Sequence, residues 1–190
     1  MKARIKEIFA ESIKVKEATL TANLDTIASA VEEITGVLKK NGKLLFFGNG
    51  GSAADSQHIA AEFIGRFQHE RRSLPAVALS TDTSILTAVG NDYGFERIFA
   101  RQIEGLGQKG DLAIGISTSG KSKNVIEGLK QAKEMGLRTV SLTGCGGGDV
   151  AQNSDIKLIV PSEVTARIQE SHICLAHAIC ELVEKNFLSS

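Results

Sequence analysis

The sequence predicts an α/β fold built on a five-stranded parallel sheet with helices on both faces. Three observations predict it: five short apolar runs recur along the chain, each is followed by Gly, Ser, Thr or Asp, and helical periodicity then follows. Apolar runs that alternate with helices are typical of strands buried on both faces. With 190 residues and 42% hydrophobic content, the chain is long enough for one substantial core, so we expect one domain over residues 1–190.

Two amphipathic helices are expected before the first strand, at residues 2–18 and about 22–40. Their apolar residues are spaced three and four apart: Ile5, Ile8, Phe9, Ile13, Leu24, Ile27, Ala30, Val31, Ile34 and Leu38. Helices outside the sheet need cover for such a stripe, and a symmetric copy of the chain is a ready source. We therefore expect residues 1–40 to lie in an oligomer interface.

The later elements follow in regular order. The five strands are expected at 43–48, 75–80, 111–117, 138–144 and 156–161, and a long, mostly buried helix is expected over 163–187. Ser52 to Asp55 resembles a capping box, which would begin the helix after the first strand. Ser119 or Ser122 could cap a helix over 123–135 that Gly136 would end.

Charge and hydropathy exclude several classes of function. Lys+Arg and Asp+Glu are equal at 22 each, so no basic footprint of a nucleic-acid binder is present. The N-terminal segment is charged every few residues and lacks the apolar stretch of a signal peptide or membrane span, so we expect a cytoplasmic protein. The three cysteines, Cys145, Cys174 and Cys180, are unpatterned, and we expect free buried thiols.

The first glycine-rich loop, Gly48-Asn-Gly50-Gly-Ser-Ala53, matches the dinucleotide fingerprint in its GxGxxA form. That fingerprint also needs an acidic residue at the end of the second strand, about 20 positions on, and Asp82 comes too late. A Walker-type loop is disfavoured too, because Lys121 is not preceded by GxxxxG.

The second loop, 115-GISTSGKS-122, carries four hydroxyls where a strand gives way to a helix. Hydroxyls and free backbone amides at a helix N-terminus form a phosphate site, although plain helix capping explains the same residues. If the sheet order is 2-1-3-4-5, this loop and the glycine-rich loop meet at the topological switch point and share one pocket. Asn91-Asp92, in a predicted turn over 90–94, could add polar contacts or be a turn without a ligand.

Two pairs of residues have the spacing for shared chemistry. His58 and Glu62 are four apart on one helix face, which suits joint metal ligation, a proton relay or an ordinary ion pair. Gln169 and His177 are about 80° apart around the last helix, so they could edge one cavity or be polar residues on its rim. Cys174-x-x-His177 is a weak metal motif by itself.

Five segments in order resemble one known family: GNGGSAADSQHIAAEFIGRF, VGNDYGF, GISTSGKSKNV, LTGCGGG and ARIQESHICLAHAICELVE. They are similar to sugar isomerase (SIS) domains, and specifically to the phosphoheptose isomerases, over about residues 2 to 187. The resemblance implies a flavodoxin-like three-layer α/β sandwich and a cytoplasmic homotetramer without nucleic-acid or membrane partners. It also implies conversion of sedoheptulose 7-phosphate to D-glycero-D-manno-heptose 7-phosphate through an enediolate, the first step toward ADP-heptose for lipopolysaccharide or related glycans.

The resemblance also assigns roles to residues. It implies one zinc ion, Zn(2+), per subunit, held by His58, Glu62, Gln169 and His177, with Glu62 and His177 as the acid–base pair. The substrate contacts that it implies are Asn49, Gly50, Gly51, Glu62, Asn91, Asp92, Ser117, Thr118, Ser119, Ser122 and Gln169. The loop over 117–122 would take the phosphate.

Two other functions remain open at this stage. Non-catalytic SIS relatives bind the replication initiator protein, and the N-terminal RIKEIFAESI resembles that group. Those relatives lack the acid–base pair, whereas Glu62 and His177 are both present here, so catalysis is favoured. A sugar-phosphate-sensing module of a regulator would be expected to carry a DNA-binding domain, and residues 1–40 have no basic bias.

Overall fold

The computed structural model describes residues 1–188 and contains a five-stranded parallel sheet in the order β2-β1-β3-β4-β5. The strands are β1 Leu44–Gly48, β2 Ala76–Ala78, β3 Leu112–Ser117, β4 Arg138–Thr143 and β5 Ile156–Ile159. All five predicted strands are therefore confirmed, each slightly shorter than expected. The order 2-1-3-4-5 is confirmed as well, and it brings the carboxyl ends of β1 and β3 side by side.

Helices cover both faces of this sheet and bury alternate strand residues. Their bounds are α1 Lys2–Lys39, α2 Gly51–Ile64, α3 Thr83–Tyr93, α4 Ile98–Leu106, α5 Lys123–Glu134, α6 Gly148–Gln152 and α7 Thr165–Glu184, with short 3₁₀ turns at Phe95–Arg97 and Lys185–Phe187. Leu44 and Phe46 of β1 pack in the cluster with α1, α2 and α7. Leu45 and Phe47 pack in the opposite cluster with α4, α5 and α6. The alternation follows from the two-residue period of a strand.

The N-terminal segment forms one helix, α1, so the prediction of two helices was wrong. No Gly or Pro interrupts residues 18–22, so the helix continues through them. Asn23 lies within this helix and bonds to the edge strand. Its buried side-chain amide donates to the Ile159 carbonyl and accepts from the Ile159 amide, each at 3.0 Å. Asn23 thus pairs with the edge strand β5 as a neighbouring strand would.

The first half of α1 leaves its apolar residues exposed. Ile5, Phe9 and Ile13 have half or more of their surface open to solvent, whereas Ile27, Ile34 and Leu38 in the second half are buried. Part of the stripe that the sequence shows is therefore left uncovered by the part of the chain that the structure describes. No described helix is long and apolar enough to cross a membrane.

Two helix starts differ from the expected caps. The first turn of α2 begins at Gly51 with Gly50 as its N-cap and no side-chain cap, so the proposed capping box from Ser52 to Asp55 was wrong. Ser122 is the N-cap of α5, as one alternative predicted, but its hydroxyl makes no capping hydrogen bond. It contacts the hydroxyl of Ser117 instead, at 2.9 Å.

The three cysteines are free, as predicted, but only Cys180 is buried. Burial raises the pKa of the Cys180 thiol to about 12, so this residue behaves as a small apolar side chain. Cys145 and Cys174 are exposed, so the expectation of burial was wrong for both. Cys174 lies outside the cluster of possible metal ligands described below.

Candidate active site

The two loops that the sequence singled out are joined by a pair of side-chain amides. Asn49 follows β1 and Asn124 lies in the first turn of α5. Each donates its Nδ2 to the Oδ1 of the other at 2.8 Å. The reciprocal pair ties the glycine-rich loop to the serine loop at the switch point of the sheet, where ligands of such folds bind. Sequence reasoning missed Asn124, although it lies in the quoted segment GISTSGKSKNV.

The serine loop, residues 117–122, is held by short-range contacts at the N-terminus of α5. Ser117 is buried, and its hydroxyl contacts that of Ser122. Ser119 accepts a hydrogen bond from the Lys121 amide at 3.2 Å and is exposed. The loop therefore places small hydroxyls at a helix N-terminus, an arrangement that favours an anion.

A second glycine-rich loop, residues 144–148, packs against the backbone of the serine loop. The Gly144 amide donates to the Thr118 carbonyl at 3.1 Å, and the Val150 amide donates to the Gly120 carbonyl at 3.0 Å. A Cβ added at Gly148 would come within 2.5 Å of the Gly120 carbonyl oxygen. The two backbones are thus too close to admit a side chain between them, which explains the glycine run after β4.

His58, Glu62 and His177, from α2 and α7, converge in one cluster. His58 and Glu62 lie one turn apart on α2, with 3.4 Å between Nε2 and the Glu62 carboxylate, and His177 approaches from α7. The Nε2 atoms of the two histidines are 3.0 Å apart. Glu62 and His177 are half-buried and His58 is exposed, so the cluster opens to solvent.

The donor set of this cluster suits a zinc ion. One ligand atom from each of the three residues lies within 4.8 Å of the others. Two donors at 2.0–2.1 Å from a tetrahedral zinc are about 3.3 Å apart. The His58–Glu62 and His58–His177 separations, 3.4 and 3.0 Å, are close to this value. Imidazole and carboxylate ligands are those that catalytic zinc sites use, with one position left open. The residues present therefore fit the metal that the resemblance implies.

Gln169, in the second turn of α7, lies against the glycine-rich loop. A Cβ at Gly51 would overlap the side-chain amide of Gln169, which would then have to move from its place at the start of α2. The structure thus brings Gln169 to the loop from which α2 departs. Its predicted role as a metal ligand stays a prediction.

Comparison with known proteins agrees with this architecture. The family model for the SIS domain matches residues 7–144. The chain is 57% identical over 185 residues to the phosphoheptose isomerase of Aquifex aeolicus, covering 97% of both chains. The chain belongs to the phosphoheptose isomerase family. A solved phosphoheptose isomerase from Neisseria gonorrhoeae superimposes with a TM-score of 0.92 at 46% identity, covering 97% of this chain and 98% of that one.

A second phosphoheptose isomerase structure, from Francisella tularensis, has a TM-score of 0.93 at 37% identity and covers 96% of this chain and 97% of that one. Similarity to the family therefore extends through α1 and α7, the helices at either end of the chain. The resemblance inferred from the five sequence segments is confirmed, as is the α/β sandwich that it implied.

Asn91 and Asp92, two of the expected substrate contacts, belong to neither of the paired loops. Asn91 and Asp92 belong to the last turn of α3, so the prediction of a turn over 90–94 was wrong. Both side chains are exposed, and Asn91 donates to the Asp92 carboxylate at 2.7 Å. Their role as substrate contacts stays a prediction.

One aromatic contact to the cluster was not anticipated. The ring of Phe67, in the segment after α2, lies 5.4 Å from the imidazole of His177, centroid to centroid. The quoted segment GNGGSAADSQHIAAEFIGRF ends at this residue, but nothing in its spacing indicated a contact with a residue 110 positions away. Phe67 limits the positions that the His177 ring can take.

Proposed function

We propose that this chain isomerises sedoheptulose 7-phosphate to D-glycero-D-manno-heptose 7-phosphate, the first step toward ADP-heptose. The observation that carries the proposal is the convergence of His58, Glu62 and His177 in a chain whose serine loop carries hydroxyls at the N-terminus of α5. The high identity to relatives named phosphoheptose isomerase supports it. The site has two ends of different chemistry, as a phosphorylated sugar does.

The serine loop suits the phosphate of the substrate. Ser117, Thr118, Ser119 and Ser122 offer hydroxyls beside the N-terminus of α5, where unpaired amides and the helix dipole favour negative charge. Asn49, Gly50 and Gly51 would contact the sugar between the two ends. On α2, His58 lies seven residues after Gly51, about 10 Å along the helix axis by its rise per residue. The reactive end of an extended sugar phosphate would then reach His58 and Glu62.

The proton transfers fall to Glu62 and His177. Conversion of the ketose to the aldose requires removal of a proton from C1, an enediolate, and return of a proton at C2. The Glu62 carboxylate takes the C1 proton in our assignment, and His177 is its acid–base partner for the proton traffic at the neighbouring carbon. The two side chains come from different helices but meet in one cluster, so each could reach an adjacent carbon.

His58, Glu62, Gln169 and His177 would hold one zinc ion per subunit. Bound zinc would supply Lewis-acid polarisation of the C2 carbonyl and stabilise the charge of the enediolate. Glu62 would then serve both as ligand and as base. The 3.4 Å between the Glu62 carboxylate and His58 Nε2 is compatible both with joint binding of a metal and with a role as base.

The same proposal includes the setting of the enzyme: a cytoplasmic homotetramer that folds as one SIS domain over residues 1–190, with a product used for lipopolysaccharide or a related glycan. The exposed apolar residues of α1 support assembly, since Ile5, Phe9 and Ile13 need cover. Multi-angle light scattering should give a mass four times the 20.2 kDa of the chain. Detection of monomer alone would contradict the interface.

Proton NMR in D2O with sedoheptulose 7-phosphate tests the reaction directly. The protein is assayed as isolated, after chelation, and after zinc is restored. Signals of aldoheptose phosphate that disappear on chelation and return with zinc support the isomerase and its metal together. Absence of product in all three samples from a folded protein would favour the initiator-binding alternative, which a pull-down with the purified initiator would then test.

A further inference from the structure

A buried ion pair lies between the two helices that carry the reactive cluster. Glu184 ends α7, two turns after His177, and is 1% exposed. Arg71, in the segment between α2 and β2, is 8% exposed, and its Nε lies 3.5 Å from the Glu184 carboxylate. Burial of a charge costs free energy unless the charge is paired and hydrogen-bonded. The contacts of Arg71 and Glu184 show what their burial achieves.

Glu184 organises the segment that follows α2. Its carboxylate accepts hydrogen bonds from three successive backbone amides: those of Phe67 and Gln68 at 2.8 Å and that of His69 at 2.9 Å. Burial alone would raise the pKa of Glu184, but these amides and the Arg71 guanidinium hold it below its ordinary value. The carboxylate is therefore a fixed anion around which the chain turns.

Arg71 binds the end of α2 itself. Its guanidinium donates to the carbonyls of Glu62 at 2.7 Å and of Phe63 and Gly65 at 2.9 Å. The last carbonyls of a helix have no partner within the helix, and Arg71 supplies one. One of them belongs to Glu62, which we propose as the catalytic base.

The contact of Phe67 completes a connection between the two reactive side chains. Glu184 holds the amide of Phe67, and the Phe67 ring packs on the imidazole of His177 at 5.4 Å. Arg71 holds the backbone of Glu62. One ion pair thus fixes both the helix end that carries the base and the aromatic ring that confines its partner.

We propose that Arg71 and Glu184 are positioning residues for the acid–base pair, acting on Glu62 through its carbonyl and on His177 through Phe67. The proposal rests on the function proposed above for its kinetic consequences, but the geometric part stands without it. Both side chains are buried, so we assign neither a contact with the substrate. Their removal should therefore lower kcat more than it raises KM.

The test replaces Glu184 by Gln, which keeps the shape and one acceptor but removes the charge. Glu181→Gln is the matched control, since Glu181 lies one turn earlier on α7 and its solvent-accessible carboxylate contacts the side chains of Lys185, at 2.7 Å, and of Gln68. We expect Glu184→Gln to lower kcat by up to about 100-fold with KM changed less than threefold, because small misplacement of reactive groups has this scale of effect. Glu181→Gln should match the parent protein.

A second readout needs neither metal nor turnover. In metal-free protein with ¹³C-labelled histidine, the ring protons of His177 should be shifted by the Phe67 ring current, and Phe67→Leu gives their position without it. We expect Glu184→Gln to move the His177 signal toward that of Phe67→Leu. This readout separates the two proposals: a parent protein that fails to isomerise the substrate refutes the proposed function, while the His177 signal still decides the positioning role.

Unchanged kcat and an unmoved His177 signal in a folded Glu184→Gln protein would overturn the proposal, even if the protein melts at a lower temperature. That pattern would show a purely structural ion pair. If Glu184→Gln does not fold, Phe67→Leu takes its place in the kinetic test, since it removes the contact on His177 and leaves the ion pair intact. Parent-like kcat in Phe67→Leu would then overturn the proposal.

Discussion

The two ends of the site are built in opposite ways. The serine end lies within six consecutive residues, 117–122, and is supported from behind by backbone contacts of the loop over 144–148. The reactive end joins His58 of α2 to His177 of α7, 119 residues further along the chain. The first can keep its shape through local geometry. The second depends on how two helices are held together.

This difference teaches where each end is vulnerable. Changes in backbone space should affect the anion end and thus substrate affinity. Changes in side-chain chemistry or helix placement should affect the reactive end and thus turnover. The experiments below follow that division, from the largest expected effect to the smallest.

Glu62→Gln should have the largest effect on turnover. An amide cannot take the C1 proton, and loss of a positioned acid or base costs about 10²- to 10⁴-fold in rate. We expect kcat to fall by that amount in the NMR assay. Glu70→Gln is the control, because the Glu70 side chain is exposed and makes only a long contact, 3.8 Å, with the exposed Arg66. Full turnover by Glu62→Gln with zinc bound would exclude Glu62 as the base.

His58→Ala should affect the reactive end by loss of metal. The variant would keep only the Glu62 carboxylate, the His177 imidazole and the neutral Gln169 amide, a weaker set of ligands that should lose zinc to a chelator. We expect about one zinc per chain in the parent protein and much less in the variant, as measured by plasma mass spectrometry after brief dialysis with chelator. His69→Ala tests for a general effect, since the His69 side chain is exposed and outside the cluster. Equal zinc content in His58→Ala and the parent would argue against the site.

Gly148→Ala should affect the serine end. Its Cβ would meet the Gly120 carbonyl at 2.5 Å and push the serine loop from its place. We expect KM for the sugar phosphate and the inhibition constant of inorganic phosphate to rise together by roughly tenfold, the equivalent of one lost hydrogen bond.

Gly146→Ala is the matched control for that change. Gly146 and Gly148 both have positive φ, at 73° and 54°, so both substitutions strain the backbone, but a Cβ at Gly146 has nothing within 4 Å. Gly146→Ala should lower stability without raising the phosphate inhibition constant. If the phosphate inhibition constant rises equally in both variants, backbone strain rather than contact with the serine loop causes the loss of affinity.

His172 should matter for stability alone, in contrast to His177 on the same helix. It is 1% exposed, and neither ring nitrogen has a hydrogen-bond partner among residues 1–188. Burial lowers the pKa of His172 to about 4, against a smaller opposing effect of the Thr143 backbone. His172 therefore binds a proton near pH 6.5 in the unfolded chain but only near pH 4 in the folded chain.

Stability should accordingly decline as pH falls from 6.5 to 4, by up to on the order of 3 kcal/mol from this residue. Urea unfolding at several pH values measures it. His172→Leu should flatten that part of the profile and leave turnover at neutral pH nearly unchanged. An equal slope in both proteins would show that other groups cause the acid sensitivity.

Much of this protein was determined by its sequence alone. The sheet, its order and the helices around it follow from apolar runs and periodicity, because burial on both faces of a strand imposes its pattern residue by residue. The serine loop could be found for the same reason, since its hydroxyls and its helix lie within a few positions. The spacing of His58 and Glu62 on one helix face was also visible.

Only the tertiary structure decided the connections over long distances. It joined the two predicted N-terminal helices into α1, in which Asn23 pairs with β5. It placed Phe67 on His177 and Glu184 beneath Arg71, contacts that no local period encodes. Sequence pattern records which face of an element is buried. Which residues meet there depends on the packing of elements that lie far apart in the chain.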